Sequence, residues 1–257
     1  MNSQRAPEGV DPNVPNVARM YDYYLDGKDN FAADRAAAER ILKLFPDTRD
    51  SAKENRAFLR RAVRYLSATG IRQIVDLGSG LPTQGNTHEN APEAQVVYVD
   101  YDPVVAAHGR ALLASSNVHV IQADIRDTDA LLKQLDGLID LAEPVAFLLL
   151  GVLYFLPDAE AYPVVERLRE VSAPGSHLAI SHAVDTTPDR TPEALAIYRQ
   201  ATASLTLRTE AEIARFFDGY DLVEPGLVYP KAWRPDAELL IGEPETSIGY
   251  AGVGRKP

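Results

Sequence analysis

From residue 73 to residue 182 the chain alternates short, apolar, β-branched runs with amphipathic stretches, and this alternation limits the possible folds more than any other feature. Runs that are apolar throughout suit strands buried on both faces, and strands separated by helices imply βαβ units around a parallel sheet. The pattern predicts strands at 73–77, 95–99, 118–122, 144–150 and 176–182. Helices are expected at 103–115 behind the cap Asp102, at 128–135 behind Asp127, and at 158–171, ended by Pro174-Gly175. Farther on, 192–204 and 210–217 read as helices, each led by a threonine cap, and two last strands fall near 222–228 and 248–253. Upstream, Val17, Met20, Tyr21, Tyr24 and Leu25 recur at helical spacing, as do the apolar residues of 31–45. A third helix should open with the capping box Ser51-x-x-Glu54 and stop at Gly70. The expected organisation is a mobile, Pro- and Gly-bearing tail (1–15), a helical extension or lid (16–70) and an α/β domain (71–257). Its sheet should be seven-stranded and mixed, six strands parallel and the last antiparallel.

The chemistry concentrates at strand ends. Ile74-Val75-Asp76-Leu77-Gly78-Ser79-Gly80 is a strand running into a glycine turn, where the lack of a Cβ lets backbone approach a ligand. In a doubly wound sheet this is the ligand-binding edge. A dinucleotide fingerprint would require a third glycine where Thr83 stands, and Asp76 places negative charge where a diphosphate would lie. An acidic residue there suits a cationic ligand instead, and S-adenosylmethionine (SAM) carries an α-ammonium and a sulfonium. The second strand ends in Asp100-Tyr101, a carboxylate placed for two ribose hydroxyls, and the third in Asp124-Ile125, offering an acceptor to an adenine amino group and an apolar face to its ring. An adenosine lying across three strand ends uses all of them.

The set Asp76-x-Gly78-x-Gly80, Asp100 and Asp124-Ile125 resembles the motif ladder of class I SAM-dependent methyltransferases. The segments Tyr21-Asp22-Tyr23-Tyr24-Leu25-Asp26-Gly27-Lys28-Asp29-Asn30-Phe31, Gly80-Leu81-Pro82-Thr83-Gln84-Gly85-Asn86-Thr87-His88-Glu89, Gly151-Val152-Leu153-Tyr154-Phe155-Leu156-Pro157-Asp158 and Tyr250-Ala251-Gly252-Val253 are more narrowly similar to an actinobacterial family of SAM methyltransferases first described as a domain of unknown function. The resemblance spans nearly the whole chain and implies a Rossmann-like class I methyltransferase fold and SAM as cofactor, without fixing a substrate. Two departures stand out. Only Asn90 to Ala94 separate Glu89 from the second strand, so the first crossover helix must be abbreviated, to about 83–90, and Tyr154 stands where the family carries a histidine.

Gly151 should form the floor beside the transferred methyl group. For the block 21–31 two readings stand: a lid in which Tyr21 and Tyr24 cover the sulfonium while Lys28 and Asn30 meet the cofactor carboxylate or the substrate, or two tyrosines that dock the helix on the sheet. A base is needed only if the acceptor arrives protonated, and His182, at the end of the fifth strand, is the best-placed candidate. His88 reads as structural, and the scattered histidines suggest no metal site. With no cysteine, no run near the about 18 apolar residues of a membrane span and a net charge of −11, the expected setting is cytoplasmic, with a small-molecule methyl acceptor and neither membrane nor nucleic-acid partner. Arg56, Arg60, Arg61 and Arg64 read as a solvated helix face. An NAD(P)-linked oxidoreductase and a non-catalytic SAM-binding regulator remain as alternatives, and oligomeric state is open.

Overall fold

The computed structural model of the chain describes residues 10–82, 85–112, 116–185, 188–236 and 249–257. Three helices, α1 (Val17–Tyr24), α2 (Ala32–Leu44) and α3 (Thr48–Ala68), precede β1 (Gln73–Leu77). There follow α4 (Thr87–Asn90), β2 (Gln95–Asp100), α5 (Pro103–Leu112), β3 (Val118–Gln122), α6 (Thr128–Leu135), β4 (Ala146–Leu150), α7 (Asp158–Val171) and β5 (His177–Ala183). The chain continues through α8 (Thr191–Arg199), α9 (Glu210–Ala214), β6 (Asp221–Leu222) and β7 (Gly249–Arg255). The seven strands form one sheet in the order β3-β2-β1-β4-β5-β7-β6. Neighbours among β1 to β5 pair in parallel, and β7 runs antiparallel to both β5 and β6. The order reverses between β1 and β4, which opens a crevice at the carboxyl ends of those strands.

Alternation along the strands sorts their side chains into two cores. Val75, Val97, Phe147, Leu149 and Leu178 face α6 and α7, while Ile74, Val96, Leu148 and Ala179 face Phe58, Ala62, Val63 and Leu66 of α3. Trp233 closes the second core, edge-on to Phe58 at 5.3 Å and to Tyr65 at 5.8 Å. Arg61 fixes it there by donating to the carbonyls of Trp233 (2.8 Å) and Pro230 (2.6 Å). The expected boundary at 70/71 therefore cuts through a core, because α3 covers the sheet rather than forming a lid. The abbreviated first crossover explains why: α4 is four residues long, and α3 takes the sheet surface that a full crossover helix would occupy.

The remaining N-terminal helices cap the strand ends. Met20, Tyr24, Ala38 and Ile41 pack with Ala194 and Ile197 of α8 in a separate cluster. A buried carboxylate organises this cap: Asp34 accepts from Asn16 N (2.8 Å), Phe31 N (2.7 Å) and Arg19 Nε (2.8 Å). Asn16 in turn caps α1 and donates to Asp102, whose other oxygen accepts from Val104 N at 2.7 Å.

Several boundaries differ from expectation. α3 opens at Thr48 with Asp47 at the N-cap, so Ser51 lies inside the helix. α8 ends at Arg199 and has Arg190 at its N-cap, while Thr191 is its first residue and donates to Asp185 at 2.7 Å. Thr209 does form a capping box with Glu212. The expected strand at 222–228 is reduced to β6 and an isolated Val228–Ala251 bridge, because Pro225 has no N–H to give a ladder. Of the proposed tail, residues 1–9 lie outside the described residues, but order begins before residue 16, since Val10 packs against Leu81 and Val104. Thr83, residues 113–115 and Ile248 also lie outside. No helix among the described residues is long and apolar enough to cross a membrane.

Candidate active site

A cavity of about 630 Å³ lies at the carboxyl ends of β1 to β4, beneath α1 and α3 and beside Tyr198 of α8. It falls within the roughly 300–1,000 Å³ usual for small-ligand sites. Asp76, Gly78, Ser79, Gly80, Asp100, Tyr101, Asp124, Ile125, Gly151, Tyr21 and Tyr24 all line it. The glycine turn is anchored to β2, since the N–H groups of Gly78 and Ser79 both donate to Val99 O, at 2.8 and 3.1 Å. Gly78 (φ +68°) admits no larger residue, because a Cβ would lie 2.5 Å from Val152 Cγ2. Gly80 sends its N–H to Asp100 Oδ2 at 2.9 Å, so turn and carboxylate form one unit.

The three acidic strand ends have different electrostatics. Asp76 is buried and accepts from Thr87 Oγ1 at 2.6 Å. Burial raises its carboxyl above the usual range, against the lowering effects of Thr87 and of the Arg56 charge. Burial also pushes Asp100 up to about 6, against the N–H groups of Asp102 and Gly80. Asp124 is different: the Arg126 guanidinium grips it through Nε (2.9 Å) and Nη2 (2.6 Å) and holds its carboxyl below the usual range.

Two expected contacts of block 21–31 lie off the cavity. Asn30 is buried in its own turn, donating to Asp22 Oδ2 (2.8 Å) and Gly27 O (3.0 Å), and Lys28 is exposed on the same turn. Gly27 is needed there because a Cβ would sit 2.0 Å from Asp22 Oδ1. The density of polar residues that suggests a ligand contact thus builds a turn. His182 is likewise not placed as a base. Its Nδ1 bonds Ala183 O at 2.7 Å, and its Nε2 faces Arg208 Nη1 at 2.9 Å, so Nδ1 carries the proton and Nε2 accepts. Burial, helped by the Arg208 charge, pushes this imidazole down to about 4. It borders a second, smaller cavity and is not on the lining of the large one.

Arg56 is the residue that sequence reasoning missed. It projects from α3 into the large cavity, where its charge acts on Asp76 and Tyr21, and no described residue hydrogen-bonds or ion-pairs with it. The arginines 56–64 do not form a uniformly solvated face: Arg61 is buried, and Arg64 pairs with Asp236 at 2.6 Å. The signal was the spacing of Ala52, Asn55, Arg56 and Leu59, which share one face of α3 and turn it toward the strand ends.

A strand order reversing at β1/β4, with a cavity over the reversal and an acidic residue at the ends of β1, β2 and β3, defines a class I, Rossmann-like methyltransferase fold. The chain belongs to the S-adenosyl methyltransferase family, whose model matches residues 3–257, and the cofactor of that family is SAM. A methyltransferase candidate from Thermobifida fusca YX superposes with a TM-score of 0.90 at 43% identity, over 99% of each chain. A DUF574 family protein from Streptomyces avermitilis gives 0.90 at 36% identity, over 96% of this chain and 99% of that one. The NodS N-methyltransferase of Bradyrhizobium japonicum, solved with S-adenosyl-L-homocysteine (SAH), shares the fold alone, at 18% identity and a TM-score of 0.53 over 80% of this chain and 88% of that one. A candidate SAM-dependent methyltransferase of Mycobacteroides abscessus is 33% identical over 141 residues, 52% of this chain and 45% of that relative. The chain thus spans less than half the length of the curated relatives it matches.

Proposed function

We propose that the large cavity binds SAM lengthwise along the sheet edge and that the chain transfers its methyl group to a small-molecule acceptor. The observation that carries this reading is the convergence, in one cavity, of the strand-end carboxylates Asp76, Asp100 and Asp124, in strand order, and the guanidinium of Arg56, with which no described residue pairs. Asp76 and the backbone of Gly78, Ser79 and Gly80 take the ammonium end, and Arg56 takes the carboxylate, since Lys28 and Asn30 lie off the cavity. Asp100 takes the ribose, with Tyr101 beside it, and Asp124 with Ile125 takes the adenine. When bound, SAM supplies a methyl group on a sulfonium, an electrophile that needs alignment more than acid or base assistance. Tyr21, Tyr24 and Gly151 line the cavity, which supports the reading that the tyrosines cover the sulfonium and that Gly151 leaves room beside it.

The net charge of −11 would repel a nucleic acid, which supports a small-molecule acceptor. Calorimetric titration with SAH, beside NADH, tests the reading. SAH should bind and NADH should not. Asp100→Ala should abolish binding, and Arg56→Gln should weaken it roughly 10- to 100-fold, the worth of a hydrogen bond to a charged group. NADH binding in place of SAH, or unchanged affinity in both variants, would overturn it.

A further inference from the structure

Behind the tyrosines lies a second cavity of about 170 Å³, under α2, α3 and α8 and against the end of β5. We propose that it is the acceptor site and that it takes a compact, non-anionic ring amine, which is methylated on nitrogen. This rests on the cofactor reading above.

Sheet order argues for the location. With adenine at β3, ribose at β2 and the methionine portion at β1, the stretch of the sheet edge left for an acceptor lies over β4 and β5. The two cavities share Tyr21, Tyr24, Asn55, Gly151, Tyr154 and Tyr198, which form the seam where methyl donor and acceptor meet.

Size and lining argue for the class of acceptor. A cavity of about 150 Å³ holds benzene, so this partly open pocket has room for one substituted ring. Ile41, Phe45, Ala52, Ala194, Leu195 and Leu207 make it apolar. No lysine or arginine is on its lining among the described residues, and Asp185 is the one carboxylate, so an anionic ring would enter this partly open pocket without a counter-charge.

The seam argues for nitrogen. His182 and Asp185 border the small cavity but not the large one, and both His182 nitrogens are committed. The tyrosine hydroxyls of the seam remain protonated, since burial raises Tyr24, Tyr154 and Tyr198 above the usual phenol range. The seam therefore offers no base for an alcohol or phenol, whereas a neutral amine attacks without one. Its lone pair forms the N–C bond as the C–S bond breaks, sulfur keeps the bonding pair, and the surplus proton on nitrogen leaves to water.

Tyr154 is the hydroxyl that positions the nitrogen. Tyr21 donates to Ala52 O and accepts from Asn55, and Tyr24 and Tyr198 face each other, but Tyr154 Oη has no hydrogen bond with a described residue. It can accept from the amine N–H and hold the lone pair toward the methyl group.

The test titrates SAH-saturated protein with aniline, phenol and benzoate by calorimetry, then follows methylation of the same probes from SAM by mass spectrometry. Aniline and phenol should bind, with benzoate at least about tenfold weaker. Aniline should be methylated at least about tenfold faster than phenol. Leu195→Trp, which fills the chamber, should weaken aniline binding about tenfold or more with SAH affinity unchanged, which also shows that the variant is folded. Tyr154→Phe should lower kcat for aniline more than it raises KM. Benzoate binding as tight as aniline, no aniline binding to the SAH complex, phenol methylated as fast as aniline, or aniline affinity untouched by Leu195→Trp would each overturn the proposal. Failure of SAH itself to bind would refute the cofactor reading, and this proposal with it.

Discussion

Asp100 accepts two backbone N–H groups, yet burial outweighs them and its carboxyl titrates near 6, against 3.8 for the free side chain. In the folded protein it holds its proton more tightly than in the unfolded chain. This group's contribution to stability is thus fully present below 3.8 and is lost as the pH rises through about 6. Ribose recognition runs the other way, because only the ionised carboxylate can accept both hydroxyls. SAH affinity should be level above pH 7 and fall below about 6, by at most about tenfold per pH unit for a single proton, while the fold gains from the same protonation. Calorimetry from pH 5 to 8 checks this, and Asp100→Asn should reduce the pH dependence to what the buried Asp76 carboxyl contributes. At this scale the carboxylates were legible in the sequence because each ends an apolar run. Arg56 was not, because one charged residue on an amphipathic helix looks the same whether it faces water or a cavity. Lys28 and Asn30 misled for the opposite reason: Asp22, Gly27 and Asn30 build a tight turn from the residue types that also bind ligands.

α3 is the element on which the site depends, since one helix covers the sheet with Phe58, Ala62 and Leu66 and delivers Asn55 and Arg56 to the cavity. Phe58 is fully buried against Trp233, so Phe58→Ala should cost about 3–5 kcal/mol in denaturant unfolding. A loss under about 1 kcal/mol would mean that α3 is a detachable lid after all. The strands and most helices were legible because their hydrophobic periods are clean. The shortness of α4 was legible too, from the few residues before β2. Its replacement by α3 was not, because a helix that precedes the sheet in sequence carries no local sign of which surface it will cover. α3 also opens earlier than its capping box suggests, at Thr48 after Asp47, so that Ser51 falls inside the helix.

For the whole molecule, the strand order is what turns separate motifs into one site. Neighbouring ends of β3, β2, β1, β4 and β5 give the cavity its sequence of chemistries, from the Asp124 carboxylate to the apolar chamber past Gly151. The cap of α1, α2 and α8 closes over them and is joined to β2 through Asn16 and Asp102. Asn16→Ala should loosen this closure and raise the SAH dissociation rate while leaving the sheet intact, which stopped-flow displacement and far-UV circular dichroism together can show. The measurement that bears most directly on the central claim is a crystal structure of the protein with SAH. Adenine should lie beside Asp124 and Ile125, the ribose hydroxyls on Asp100, the carboxylate on Arg56, and the sulfur facing Tyr154 and Gly151. Density for SAH in the reverse orientation, or outside this cavity, would contradict it.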